Sequence, residues 1–302
     1  MKELTKNFKT ILKDFSFVEF DKEMKHYTSY NTGGRVDILA KPNNVDQLVS
    51  ILKTLRENKI PTTILGACTN VLVGDKGIRG AVVLTSGLIE TRADKDLVIC
   101  QAGVSMAKFA AYAHSLGLGG TEAVSGIPGS VGGAVYMNAG SYGVQVNDIL
   151  EYSLYLDDQL NVVRLEKDHH QFGFRKSFYT DKNYIILEAG FLLKPRDKDL
   201  IKEDMKIFAA KRKASQPLEY SSCGSVFKRP PGNYAGKLIE DAGLKGYKVG
   251  GAMVSPKHAG FIVNTGDALT QDIIEIIDFV RDTVYNKYNI DLELEVRIIG
   301  ER

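Results

Sequence analysis

The sequence predicts a mixed α and β chain folded as two or three compact units, and three features carry that expectation. Val45, Leu48, Val49, Leu52 and Leu55 recur at helical spacing within residues 43–59, and a short strand pattern over 60–65 then runs into Gly66. Near the other end, Leu292, Leu294, Val296 and Ile298 alternate with Glu293, Glu295, Arg297 and Ile299, so residues 291–300 read as a strand with one charged face. A length of 302 residues exceeds the usual size of one hydrophobic core and leaves ample material for a cleft.

Between those ends, residues 81–84 and 97–100 read as strands. Ser105 caps a helix carrying Phe109, Tyr112, Ala113 and Leu116, and Gly117 ends it. Residues 149–164, broken at Asp157-Asp158, read as a hairpin, and 184–193 as a further strand. The polar run Lys194-Pro195-Arg196-Asp197-Lys198 is expected to mark the main domain boundary. Beyond it come a helix around Met205 and Phe208, a glycine-rich stretch from Cys223 to Gly251, and a long helix over 273–285 with Thr270 as its cap.

Composition narrows the function classes. Thirty-nine basic against 37 acidic residues leave a formal net charge of +2, which gives no broad footprint for nucleic acid or an anionic membrane. Residues 1–21 mix Lys2, Glu3, Lys6 and Lys9 with single apolar residues and lack a secretory apolar stretch, and no later segment has the length of a membrane span, so a cytoplasmic protein is expected. Cys68, Cys100 and Cys223 are odd in number and far apart, and read as reduced thiols. His169-His170 read as loop residues and His258 as an orienting or structural group, so no metal is expected.

Several segments carry candidate chemistry. Ser125 to Ala134, with Gly126, Pro128, Gly129, Ser130, Val131 and Gly133, concentrates glycines where backbone N–H groups could meet a pyrophosphate, although it lacks the G-x-G-x-x-G spacing of the dinucleotide fingerprint. Leu65-Gly66-Ala67-Cys68-Thr69-Asn70 follows a strand and offers a second backbone clamp, or an ordinary turn. Arg175 sits among Phe172, Phe174, Phe178 and Tyr179, placed either to meet a carboxylate or flavin edge or to pack on the surface. Ser225 has no histidine or lysine beside it in sequence, and Glu295 faces the polar side of its strand, so residue chemistry alone leaves both open.

Five motifs in order resemble those of the MurB reductases: Tyr30-Asn31-Thr32-Gly33-Gly34, Gly126 to Ala134, Met137-Asn138-Ala139-Gly140, Gly224-Ser225-Val226-Phe227, and Glu295 to Gly300. The likeness runs from about Tyr27 to Gly300, and the short spacing from Arg175 to Ser225 resembles the compact subgroup without an extra substrate-capping segment. It implies an α+β fold: a two-lobed FAD-binding domain of the vanillyl-alcohol-oxidase (PCMH) type over residues 1–196, with lobes of about 1–92 and 93–196, then a smaller α+β substrate-binding domain over 197–302.

It also implies a flavoenzyme in which NADPH reduces FAD and hydride passes to UDP-N-acetylglucosamine enolpyruvate, giving UDP-N-acetylmuramate for peptidoglycan synthesis. By the same resemblance the catalytic residues are Ser225, as the acid, with Glu295 and Arg175. FAD contacts fall on Leu65, Gly66, Ala67, Cys68, Thr69, Asn70, Val71, Ser125, Gly126, Pro128, Gly129, Ser130, Val131, Gly133 and Ala134, and substrate contacts on Tyr142, Arg212, Gly224 and Lys237. The chain departs from the family's pattern at Cys68-Thr69, where relatives read more like Gly-Ser, and at Gln216, near a common lysine. The expected partners are small molecules only, a UDP-sugar and NADPH, met by a monomer. Another flavin oxidoreductase of the same fold and a non-enzymatic nucleotide-binding module are the rival readings.

Overall fold

The computed structural model describes residues 8–302, so Lys2, Glu3 and Lys6 of the mixed charged and apolar stretch 1–21 lie outside it. β1 (Val18–Glu23) and β2 (Arg35–Ala40) precede α1 (Val45–Glu57). α1 starts where Asn44 accepts a hydrogen bond from the Gln47 N–H, and it buries the stripe Leu48, Ile51, Leu52 and Leu55. β3 (Thr62–Leu65), β4 (Val71–Val73) and β5 (Ile78–Leu84) follow, and one sheet has the order β1-β2-β5-β3.

The hairpin β6 (Thr91–Asp94) and β7 (Leu97–Gln101) leads to α2 (Met106–Ser115), which Ser105 caps through the Lys108 N–H as expected. After α3 (Val131–Tyr136) come β8 (Leu150–Leu156), β9 (Val162–Glu166) and β10 (Ile185–Leu192), and an antiparallel sheet β9-β8-β10-β7-β6 is formed. The break at Asp157 is a turn in which its carboxylate accepts from the Gln159 and Asn161 N–H groups. α4 (Lys198–Ser215), α5 (Ala235–Asp241), the antiparallel set β11 (Lys248–Val249), β12 (Ala252–Val254) and β13 (Ile262–Asn264), α6 (Thr270–Tyr288) and β14 (Arg297–Ile299) complete the chain. No helix of the described residues is long and apolar enough to cross a membrane.

Two compact units emerge. The first takes residues up to Glu19, Leu39–Ala67 and Val82–Arg212, and its core packs α2 and α3 on the five-stranded sheet around Phe109 and Phe191, whose rings lie 4.4 Å apart. That aromatic pair adds about 1 kcal/mol beyond its buried area. The second takes Phe20–Ile38, Cys68–Ala81 and Lys213–Arg302, with a core of Tyr30, Leu72, Val296 and the buried face of α6: Ile273, Ile276, Ile277, Val280 and Val284. Within it β14 lies parallel to β4, pairing Arg297 with Val71.

The compact units follow a different course along the chain from a single division at 196/197. Lys194–Pro195 pairs with Leu118–Gly119, and Arg196 bridges Glu122 and Asp204 at 2.7 Å each, so the polar run is an ion-paired edge inside the first unit. The final strand is also shorter than its alternation suggests. Leu294 bridges Phe227, the N–H groups of Glu295 and Val296 both donate to the Val226 carbonyl, and that shared acceptor breaks the pleat until Arg297. At α6 the cap is Leu269, not Thr270. The Asp75 carboxylate accepts from the Thr270 and Gln271 N–H groups at 2.9 Å, Asp272 accepts from the Leu269 N–H, and the Thr270 hydroxyl donates to the Val73 carbonyl.

Candidate active site

In the first unit Gly66 of one expected cofactor cluster meets Ser130 of the other. A methyl group on Gly66 would lie 2.6 Å from the Ser130 hydroxyl oxygen, so only a glycine lets the β3 turn approach this closely. Ser130 starts α3, its hydroxyl accepting from the Gly133 N–H at 3.3 Å. Thr85 completes the corner by donating to the Leu65 carbonyl at 3.4 Å, a contact with no signal in the sequence.

The peptide donors of the glycine loop divide into two sets. Those of Ile127, Val131, Gly132 and Ala134 are taken by the Val124, Val104, Ala102 and Ser130 carbonyls. Those of Gly126, Gly129 and Ser130 have no partner among the described residues. Amides left over beside a cleared glycine suit a phosphate-bearing group, so this corner fits the pyrophosphate of FAD. Val131 instead contributes a fully buried side chain to the core.

Arg175 belongs to the same unit. The Gly173 N–H donates to the Lys176 carbonyl at 2.9 Å and the Lys176 N–H returns to Gly173 at 3.3 Å, which leaves Phe174-Arg175 as the tip of a two-residue turn. Arg175 takes φ 54, and its guanidinium carbon stands 5.1 Å from the Phe174 ring centroid. The motif around Asn138 anchors this turn. Asn138 Nδ2 donates to the Gly173 carbonyl at 3.1 Å while its Oδ1 accepts from the Asn147 N–H at 3.0 Å, and the Ser177 hydroxyl donates to the Tyr136 carbonyl at 2.7 Å. Tyr142 stacks on Phe208 at 5.1 Å, and a methyl group on Gly126 would lie 3.3 Å from Arg212 Cδ. Burial holds the Arg212 guanidinium below the ordinary arginine value, with Tyr142 acting in the opposite direction.

Ser225 and Glu295 belong to the second unit, where a backbone contact holds Glu295 against Val226, the residue after Ser225. Gly224 adopts φ 79, a conformation costly for any other residue, and delivers Ser225 half-buried ahead of Val226. The Val226 N–H donates to Gly260, and its carbonyl accepts from the Glu295 N–H at 2.8 Å. Asn70 donates its side-chain amide to the Glu295 carbonyl at 3.0 Å, so the loop expected to touch FAD also fixes the glutamate.

Cys68, where the resemblance leads one to expect a glycine, takes a left-handed backbone at φ 52. The Ser29 N–H donates to the Cys68 carbonyl, and Asn31 donates to Ser221 at 2.8 Å, so the Tyr30-Asn31 motif is scaffolding. Lys237 points to solvent and pairs with Asp241 on its own helix. His258 is structural: its Nδ1 accepts from the Gly260 N–H at 3.1 Å. His170 lies in a loop as expected, just after a short 3-10 turn, but its ring is fully buried and bonded to Ser153.

Comparison with known proteins shows the family. Residues 216–299 match the family model described as UDP-N-acetylenolpyruvoylglucosamine reductase, C-terminal domain, and residues 36–165 match that of an FAD binding domain. A UDP-N-acetylenolpyruvoylglucosamine reductase of Caldanaerobacter subterraneus is 44% identical over 299 residues, covering 99% of each chain. A second, UDP-N-acetylenolpyruvoylglucosamine reductase 2 of Bacillus cereus, is 42% identical over 301 residues, covering 100% of this chain and 98% of its own. The crystal structure of the reductase from Thermus caldophilus aligns with a TM-score of 0.80 at 33% identity, covering 93% of this chain and 98% of that one. The fold class is therefore α+β, an FAD-binding portion followed by a reductase-type carboxy-terminal portion. On matches of that length and identity, the chain belongs to the UDP-N-acetylenolpyruvoylglucosamine reductase family.

Proposed function

We propose that this chain catalyses the NADPH-dependent, FAD-mediated reduction of UDP-N-acetylenolpyruvoylglucosamine to UDP-N-acetylmuramate, with Ser225, Glu295 and Arg175 as its catalytic residues. The observation that carries the assignment of residues is the pair of bonds from Asn70 and Val226 that fixes Glu295 next to the Ser225 turn. FAD held at the Gly66–Ser130 corner would supply the hydride for the enolpyruvyl ether, with NADPH as its reductant.

The remaining steps fall to side chains. Hydride addition leaves an enolate-like carbon next to the carboxylate, basic enough that a serine hydroxyl serves as its acid. Ser225 donates that proton, and Glu295 holds substrate and serine in register. Arg175 meets the substrate carboxylate, where its planar fork stabilises the charge that grows during transfer.

The turns Leu65 to Val71 and Ser125 to Ala134, apart from the core residue Val131, would hold the cofactor, and the Gly126, Gly129 and Ser130 amides would offer donors to its phosphates. Tyr142, Arg212, Gly224 and Lys237 contact the UDP-sugar. The boundary at 196/197 is kept as a division of chemistry, with FAD contacts before it and the proton donor after it. As a monomer in the cytoplasm, the enzyme would feed peptidoglycan precursor synthesis and through it cell shape and division.

An anaerobic two-step spectral titration tests the reading. NADPH should bleach the flavin absorbance and the enolpyruvyl substrate should restore it. Bleaching without restoration would move the chain to a different flavin oxidoreduction, and absence of flavin after reconstitution would remove the redox assignment.

A further inference from the structure

The loop that carries Arg175 is closed at its base by one hydroxyl. His170 and Tyr179, which flank the turn, both bond to Ser153 Oγ on β8, each at 2.6 Å. All three residues are fully buried. The Phe178 N–H donates to the His170 carbonyl at 2.6 Å, and the His170 ring stacks on Phe172 with centroids 5.0 Å apart and planes 10° apart.

Proton positions in this network follow from its partners. His170 Nδ1 faces the Glu166 and Lys167 carbonyls at 2.9 and 3.2 Å, and carbonyls only accept, so Nδ1 carries the hydrogen. Nε2 therefore accepts from the Ser153 hydroxyl, and Ser153 in turn accepts from the Tyr179 hydroxyl. Every polar atom of the set is satisfied, which makes it rigid, and burial holds His170 below the ordinary histidine value and so in the neutral form the network needs. A serine beside a histidine also describes a nucleophile, but full burial and the tyrosine bond exclude that use here.

We propose that Ser153, His170 and Tyr179 are positioning residues for Arg175, holding its turn at the angle the reaction requires. The inference rests on the reading of Arg175 as the active-site arginine. Its physical basis is the left-handed backbone of Arg175, a conformation that persists only where the surroundings impose it. Two sets of bonds impose it here: Asn138 to the Gly173 carbonyl, and the Ser153 clamp at the loop base.

The test is Tyr179→Phe, which keeps the ring and removes only the hydroxyl, with Ser153→Ala giving the same readout should the first variant fail to fold. Single-turnover reoxidation of the reduced holoenzyme by the enolpyruvyl substrate is expected to slow about 10- to 100-fold, as for a misplacement of under an ångström. Flavin reduction by NADPH and the KM for substrate should stay within about twofold of wild type, because the loss falls on the transition state. In an Arg175→Lys background the same change should cost nothing further. Full speed in Tyr179→Phe alongside a slow Arg175→Lys, or effects that multiply in the double variant, would overturn the inference and leave Arg175 in place. Full speed in Arg175→Lys itself would overturn both.

Discussion

Asn70 holds Glu295 by its side chain and the next turn of the segment by its backbone: the Asn70 amide donates to the Glu295 carbonyl at 3.0 Å, and the Asn70 carbonyl accepts from the Arg297 N–H at 3.1 Å. The residue that follows the cofactor turn thus fixes the entry to β14. Asn70→Ala should remove about 1 kcal/mol of stability. It should also slow flavin reoxidation by the substrate about tenfold, since Glu295 loses its lateral hold. Asn70→Asp should be worse, because a carboxylate would then face a carbonyl oxygen. Urea melts and single-turnover reoxidation check both, and wild-type rates in the two variants would argue that the contact is only structural.

Ser225→Ala separates the half-reactions. Loss of a general acid costs about 10²- to 10⁴-fold in the step that uses the proton. Stopped-flow traces should therefore show NADPH reduction close to wild type and reoxidation slowed by that factor. Equal slowing of both would remove Ser225 as the acid.

Gly66→Ala tests the cradle. The new methyl group would lie 2.6 Å from the Ser130 hydroxyl, which cannot retreat without giving up its bond to the Gly133 N–H. FAD binding should weaken at least about tenfold, or about 1.4 kcal/mol, by fluorescence titration of the apoprotein. Gly66→Ala combined with Ser130→Gly should recover part of the loss. Unchanged affinity in the single variant would detach this corner from the cofactor.

The three thiols predict an alkaline limit. Burial pushes Cys68, Cys100 and Cys223 up to about 12 from an ordinary 9.0. Between those values the unfolded chain has lost thiol protons that the folded chain retains. The contribution is therefore complete below pH 9.0 and is lost as pH rises toward about 12. Urea unfolding at about pH 8 and about pH 10.5 should show the fall, and Cys100→Ala should flatten it. An unaltered slope in that variant would refute the thiol origin.

Local patterns were legible and shared partners were not. α1 and α2 could be read because Asn44 and Ser105 cap them within their own first turns and their apolar stripes are continuous. The alternation over 291–300 overstated a strand, because nothing in it announces that the Val226 carbonyl accepts from both the Glu295 and Val296 N–H groups. His170 is the loop residue it read as, but its burial was not legible, because that depends on Ser153 and Tyr179, which periodicity does not connect to it. Thr85 beside Leu65, and Asn138 beneath the Arg175 turn, are of the same kind. At the site the motifs pointed to Ser225, Glu295 and Arg175 by resemblance, while the backbone reasons for their placement came only from the fold.

The capping of α6 by Asp75 bears on how such a protein can be inherited. Residues 213–302, taken alone, would carry a helix whose first N–H groups have lost their acceptor and a strand, β14, without its parallel neighbour β4. The carboxy-terminal segment is thus no cassette that recombination could move by itself. Any exchange that transplants it must bring residues 68–81 along, although more than 130 positions of the other unit are encoded between them.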